Sequence, residues 1–272
     1  MSFLVFLALS AVLLAALLLQ PVWRRWRQRR LRRSPFPAAW RAILRRRVPY
    51  LRRLPADLRT RLLQQMQVFL AEKPFLGCAG MAITDEVRLT IAALACLPLV
   101  NRDEAPYPEL RQILVYPGPF LVERTQADGS GVLHDHRQVL AGESWSQGQV
   151  ILSWQDVLQD AAAPEGGRNV VLHEFAHQLD QENGAANGAP VLGDRDAYAR
   201  WSAVLSAEYT QLQQRTERGE DGLLDTYGAS SPAEFFAVVT EAFFLQPQRL
   251  AREHAALFDE LRRFYRIDPL AW

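Results

Sequence analysis

The pattern of apolar and polar positions begins with one long apolar run. Every residue from Phe3 to Leu19 except Ser10 is apolar, and seven arginines follow between positions 24 and 33. A helix of this kind measures roughly 26–30 Å, just enough to cross the hydrocarbon core of a bilayer. We expect residues 1–23 to form a single-pass transmembrane anchor. By the positive-inside rule, the basic end and everything after it lie on the cytoplasmic side of the inner membrane.

Charge is divided unevenly between this region and the remainder of the chain. There are 31 basic and 30 acidic residues, but 13 arginines and no acidic residue precede Asp57. The other 18 basic residues therefore face 30 acidic ones, a balance of −12. We expect residues 24–53 to be a basic juxtamembrane segment that favours anionic lipid head groups. The lone Pro21 and the short apolar run leave an interfacial attachment as the alternative to a span. The acidic remainder argues against direct nucleic-acid binding.

Residues 54–272 are long enough to bury a core of their own as one domain. Apolar positions recur with helical spacing over Leu58–Ala71 and Glu86–Leu97. Short apolar runs at Gln112–Tyr116 and Gln149–Trp154 are bounded by proline or glycine and are typical of strands. We expect an α+β fold that is mainly helical, with a small sheet beside the helix that begins near residue 170.

That helix carries a pentapeptide with metal-binding chemistry. His173 and His177 are four residues apart, so both imidazoles project from one helix face and can reach one ion. Glu174 is rotated by about 100° from His173, which places its carboxylate where it can take a proton from water at the metal. Asn169 has the side chain of an N-cap, and the flanking residues are apolar. With only five histidines in the chain, this spacing favours a metal site over a chance match.

Two downstream glutamates are candidates for a third metal ligand. Glu234 and Glu241 are seven residues apart, two helical turns, and therefore share a face. Glu234 also completes a capping box with Ser231, which is the alternative interpretation of its position. We predict Glu234 as a ligand and Glu241 as the hydrogen-bond partner of a ligand histidine. Asp180, three residues after His177, either orients a ligand imidazole or solvates the helix end.

Three further features have a functional and a structural interpretation. Tyr227 could donate a hydrogen bond to a developing oxyanion, or it is an ordinary tyrosine before a turn. The pair His134 and His136 could share one face of a strand, but the nearby glycines favour a polar loop over a second metal site. Gly142–Trp145, or the strand after it, could supply a sheet edge to which an extended substrate adds as a strand.

Together these segments resemble the Mlc titration factor A family of zinc metallopeptidases, which are gluzincins with a catalytic core similar to that of anthrax lethal factor. The resemblance extends from Leu54 to Trp272. It is carried by Val171–Asp180, Tyr227, Ser231–Val238 and Glu241–Phe244. It implies that His173, His177 and Glu234 bind zinc, that Glu174 is the general base and that Tyr227 faces the metal.

We therefore expect a membrane-anchored peptidase with one zinc ion per chain, in which Glu174 activates the attacking water. The resemblance also implies an alternative, a regulatory protein that binds and sequesters the glucose repressor Mlc with little or no proteolysis. An acidic domain would suit such a basic, DNA-binding partner. A purely structural zinc site would have no use for Glu174. The sequence leaves open whether the enzyme is an aminopeptidase or an endopeptidase.

Overall fold

The protein is described by a computed structural model covering residues 2–102, 106–127, 133–140, 142–145, 148–184 and 186–272. Helices dominate, as the apolar periodicity predicts. The helices are α1 (Ser2–Arg33), α2 (Ala38–Arg47), α3 (Ala56–Glu72), α4 (Asp85–Cys96), α5 (Trp154–Ala162), α6 (Val170–Asp180), α7 (Arg195–Glu217), α8 (Pro232–Leu245), α9 (Pro247–Glu253) and α10 (Ala255–Tyr265). The strands are β1 (Phe75–Gly77), β2 (Gln112–Tyr116), β3 (Phe120–Ala127), β4 (Leu133–Leu140), β5 (Gly142–Trp145) and β6 (Gln149–Ser153).

A small sheet lies beside α6. Its strand order is β1-β2-β6-β5, in which β1, β2 and β6 are parallel and β5 is an antiparallel outer strand. Helix α6 contacts both β5 and β6. The prediction of a mainly helical α+β fold with a small sheet is confirmed. Strands β3 and β4 form a separate antiparallel pair, so His134 and His136 lie on a strand and the predicted polar loop is wrong.

The hydrophobic core surrounds α4, α6 and α8. Phe175 on α6 is fully buried, and its ring lies 5.7 Å from that of Phe69 and 4.8 Å from that of Tyr107. Edge-on contacts of this kind add to the free energy gained by burying apolar area. The same core includes Leu44 and Val48. Residues before the predicted domain start at 54 therefore pack with the domain.

The N-terminal helix is longer than the anchor predicted for residues 1–23. It runs to Arg33 without a break, and its second half is fastened to α3. Arg24 pairs with Glu72 at 3.1 Å, and the Gln28 side-chain amide donates to the same carboxylate at 2.9 Å. Over the residues that the structure describes, no helix has both the length and the apolarity needed to cross a membrane, so the predicted transmembrane anchor is unsupported.

Removing the ring of Phe175 tests how far the core supports the motif helix. We expect Phe175→Ala to lower the free energy of unfolding by about 3–5 kcal/mol, because a large cavity opens between α3 and α6. Urea denaturation followed by circular dichroism measures the loss. Leu270→Ala is the control, since that side chain is 43% exposed and its removal opens no cavity. Equal losses in both variants would contradict this packing.

Candidate metal centre

Helix α6 starts with a side-chain cap that fixes the phase of its two histidines. The Oδ1 atom of Asn169 accepts a hydrogen bond from the backbone N–H of Leu172 at 3.0 Å, as expected of an N-cap. Asp160 adds a second support, since its Oδ2 atom accepts from the N–H of Val170 at 2.8 Å. Negative charge at this end also suits the helix dipole. The first turn, which leads directly to His173, is therefore held from two sides.

The N-terminal cap of helix α8 uses the backbone of Glu234 and not its side chain. The hydroxyl of Ser231 accepts from the backbone N–H of Glu234 at 3.2 Å. The carboxylate of Glu234 does not stay at the helix end. Its Oε2 atom lies 2.9 Å from Nε2 of His173 and 3.3 Å from Nε2 of His177. The backbone of Glu234 is capped while its side chain joins the histidines.

The two helices thereby bring three ligand atoms together. One atom each from His173, His177 and Glu234 lies within 4.8 Å of the other two. Glu241, two turns further along α8, accepts from the other side of His173, with Oε1 2.8 Å from Nδ1. Its second oxygen accepts from the backbone N–H of Asn169. Glu241 therefore fixes both the imidazole plane of His173 and the start of α6.

The carboxylates set the electrostatics of the centre. Burial by itself lowers the pKa of His173, but hydrogen bonds to Glu234 and Glu241 and the charge of Glu174 raise it well above its ordinary value. Burial would raise the pKa of Glu234, yet its contacts with His173 and His177 lower it. The carboxylate of Glu234 is therefore held in its ionised form, which is the form that binds a cation.

Glu174 and Tyr227 lie in the wall of the same cavity, which has a volume of about 880 Å³. Glu174 is buried, and β5 passes close to it: a Cβ atom added to Gly142 would lie 2.6 Å from its Oε1 atom. Tyr227 sits in a 3-10 turn, Thr226–Ala229, and is 48% exposed. Its ring centroid is 6.0 Å from that of His173. A candidate base and a candidate phenol donor thus share one cavity with the candidate ligand His173.

Asp180 has a different place from the one predicted for an imidazole partner. It is fully buried, and its Oδ2 atom accepts from the backbone N–H of Gly188 at 2.8 Å. The carbonyl of Gly188 in turn accepts from the indole of Trp201 at 2.9 Å. The pKa of Asp180 is raised by burial, and the nearby His177 opposes this. The carboxylate therefore acts mainly on the loop after α6, and neither predicted role, imidazole partner or solvated helix end, describes it.

Sequence reasoning missed two residues that shape the centre. Asp160 supports α6 and faces the cavity, where burial raises its pKa to about 6. Gly142 leaves room for the carboxylate of Glu174 because it has no side chain. No local pattern marks Asp160. The position of Gly142 before a short polar run predicts a sheet edge but not its approach to Glu174.

Comparison with known proteins agrees with this geometry. The family model of glucose-regulated metallo-peptidase M90 matches residues 23–266. The chain belongs to the M90 metallopeptidase family. It is 43% identical over 251 residues to an uncharacterized protein of Synechocystis sp., covering 92% of this chain and 91% of the relative. It is 36% identical over 227 residues to the Mlc titration factor A of Klebsiella pneumoniae, covering 82% and 84%, and equally to that of Yersinia pestis, covering 82% and 83%.

Membership of the M90 family implies a metal ion, and the donors present fit one. Two imidazole nitrogens and one carboxylate oxygen form the kind of set that holds catalytic zinc and leaves a fourth position open. Donors bound tetrahedrally at about 2.0–2.1 Å would lie roughly 3.3 Å apart. The separation of 3.3 Å between Glu234 and His177 equals that value, the 2.9 Å between Glu234 and His173 is shorter, and all three atoms lie within 4.8 Å of one another.

Two glutamates on one face of α8 can be told apart by metal affinity. Glu234→Ala should abolish tight binding of zinc because it removes a donor, whereas Glu241→Ala should weaken it by about 10–100-fold because it only frees His173. Titration with zinc against a competing chelator measures both. Glu220→Ala, at an exposed position outside the centre, should bind as the wild type does. The reverse order of effects would show that Glu234 serves only the helix end.

Proposed function

We propose that the protein is a zinc-dependent peptidase. The observation that carries the proposal is the convergence of His173, His177 and Glu234, since His173 lines the same cavity as Glu174 and Tyr227. A site with three protein donors and an adjacent acid–base group matches hydrolysis better than structural metal binding, which normally closes the fourth position. When bound, the zinc ion supplies Lewis-acid activation of a water molecule and of the substrate carbonyl.

Glu174 and Tyr227 have separate roles in this reaction, one in proton transfer and one in stabilising negative charge. The carboxylate of Glu174 accepts the proton of the attacking water and passes it to the leaving amine. The phenol of Tyr227 donates a hydrogen bond to the oxygen on which negative charge develops. Glu241 holds the imidazole of His173 from behind, so the donor set keeps its orientation.

Strand β5 offers an edge with which an extended substrate can pair. It is the outer strand of the sheet and antiparallel to β6, and Gly142 at its start lies against Glu174. An extended peptide that pairs with this strand passes the base with its backbone aligned. Main-chain hydrogen bonds supply the binding free energy in this mode, so recognition depends on an extended conformation as well as on side chains.

The role of Glu174 is tested by its amide variant. Glu174→Gln keeps the shape of the side chain but cannot accept a proton, so turnover of peptide substrates should fall by about 10²–10⁴-fold. Zinc content and thermal stability should stay those of the wild type. The measurement is a peptidase assay on a fluorogenic peptide library, with zinc quantified by mass spectrometry. A variant that cleaves at the wild-type rate would show that another group is the base.

Tyr227 is tested by removing one hydroxyl. Tyr227→Phe should lower kcat by roughly 10²–10³-fold and change KM little, because the phenol acts only when negative charge develops. Tyr198→Phe is a control at another exposed tyrosine, 38% exposed. An unchanged kcat in Tyr227→Phe would show that Tyr227 is an ordinary tyrosine of the turn and has no part in catalysis.

The names of the relatives support a second candidate function. Proteins called Mlc titration factor A are 36% identical to this chain over 227 residues. We infer from this name a partner class, a repressor of the Mlc type, and the acidic part of the chain would attract such a partner if the partner's surface is basic. The same Glu174→Gln variant separates the two functions. If wild type and variant bind purified Mlc equally and neither cleaves any peptide, regulation by sequestration replaces peptide hydrolysis.

A further inference from the structure

One face of the N-terminal region carries arginines without acidic partners. Arg25, Arg29 and Arg33 follow one another at intervals of four on α1 and therefore share one helix face. Arg41 and Arg45 are related in the same way on α2. All five side chains are exposed, and none of them meets a carboxylate among the residues whose positions are described. We call the three arginines of α1, Arg25, Arg29 and Arg33, the basic face.

Neighbouring arginines form ion pairs with glutamates, whereas within the described part of the chain the arginines of the basic face do not. Arg24 contacts Glu72, Arg46 and Arg47 both contact Glu86, and Arg53 contacts Glu165. Like charges at intervals of four destabilise an isolated helix. An anionic partner outside the chain would relieve the repulsion within a row of three such arginines.

The apolar half of α1 continues the same face. Leu18 and Val22 precede Arg25 by seven and three residues, and they are 66% and 62% exposed. Trp23 and Trp26, 60% and 55% exposed, lie where apolar residues give way to arginines. Tryptophans at such a boundary are typical of a membrane interface. Exposed apolar side chains in this number indicate a binding surface.

The attachment of α1 fixes how this surface is presented. The Arg24–Glu72 pair and the Gln28 hydrogen bond hold the adjoining side of α1 against α3. The Arg32 guanidinium donates to the Gln65 side chain at 3.4 Å further along. The basic face is therefore fixed to the folded domain, and its side chains are exposed to solvent.

We propose that the basic face binds an anionic phospholipid surface. The arginines meet the head groups, the two tryptophans lie at head-group depth, and the exposed apolar side chains of α1 lie against acyl chains. Nucleic acid offers the same negative charge but no counterpart for this apolar row. The net charge of −12 over the rest of the chain also repels a long polyanion. The proposal is independent of catalysis.

Vesicle flotation of the purified full chain tests this surface. Vesicles of phosphatidylcholine with and without phosphatidylglycerol are compared, because only the anionic lipid is recognised by arginine charge. Each arginine near the surface contributes about fivefold in affinity, so Arg25→Gln, Arg29→Gln and Arg33→Gln together should weaken binding to the anionic vesicles by roughly a hundredfold. Added salt should weaken the wild type in the same direction.

A matched variant removes the same charge elsewhere. Arg195, Arg218 and Arg252 are exposed outside α1 and α2, and their replacement by glutamine should leave flotation unchanged. Equal losses in both triple variants, or wild-type binding that ignores phosphatidylglycerol, would overturn the proposal. So would loss of duplex DNA binding in the first variant with flotation retained, since the partner would then be nucleic acid.

Discussion

The contact of His173 with carboxylates on both ring nitrogens is the constraint on which the centre depends. Glu234 meets Nε2 and Glu241 meets Nδ1, and both glutamates belong to α8. Together with Glu174, these three carboxylates lie largely buried at the contact of α6 with α8. Buried negative charges of this kind are costly unless positive charge or a metal ion offsets them. The two histidines offset part of this charge when they are protonated, and a metal ion bound between the helices would offset it as well.

The contact between α6 and α8 also links the stability of α6 to the position of the candidate metal ligands. Glu241 binds the backbone of Asn169, the residue that caps α6, as well as the imidazole of His173. A shift of α8 would thus move the third donor and the start of the motif helix together. Phe175, on the opposite side of α6, holds the helix in the aromatic core. The supports of the centre therefore come from both faces of one helix.

Local patterns predict the pieces of this centre better than their assembly. Asn169 as a cap and the shared face of the two histidines follow from helix geometry, and the structure has both. Ser231 and Glu234 show the limit of such patterns, since one residue uses its N–H for the cap and its carboxylate for the ligand set. The bonds of Glu241 join groups 68 and 72 residues apart, and the parallel pairing of β2 with β6 is equally nonlocal. Spacing along the chain carries no signal for contacts of that kind.

We propose that one zinc ion sits between α6 and α8, and anomalous diffraction would detect it there. Data from crystals of the purified protein would be collected on both sides of the zinc absorption edge. We expect one strong anomalous peak about 2.0–2.2 Å from nitrogen atoms of His173 and His177 and from a carboxylate oxygen of Glu234. A peak elsewhere in the chain, or a site that stays empty in crystals grown with zinc, would contradict a zinc ion at this place.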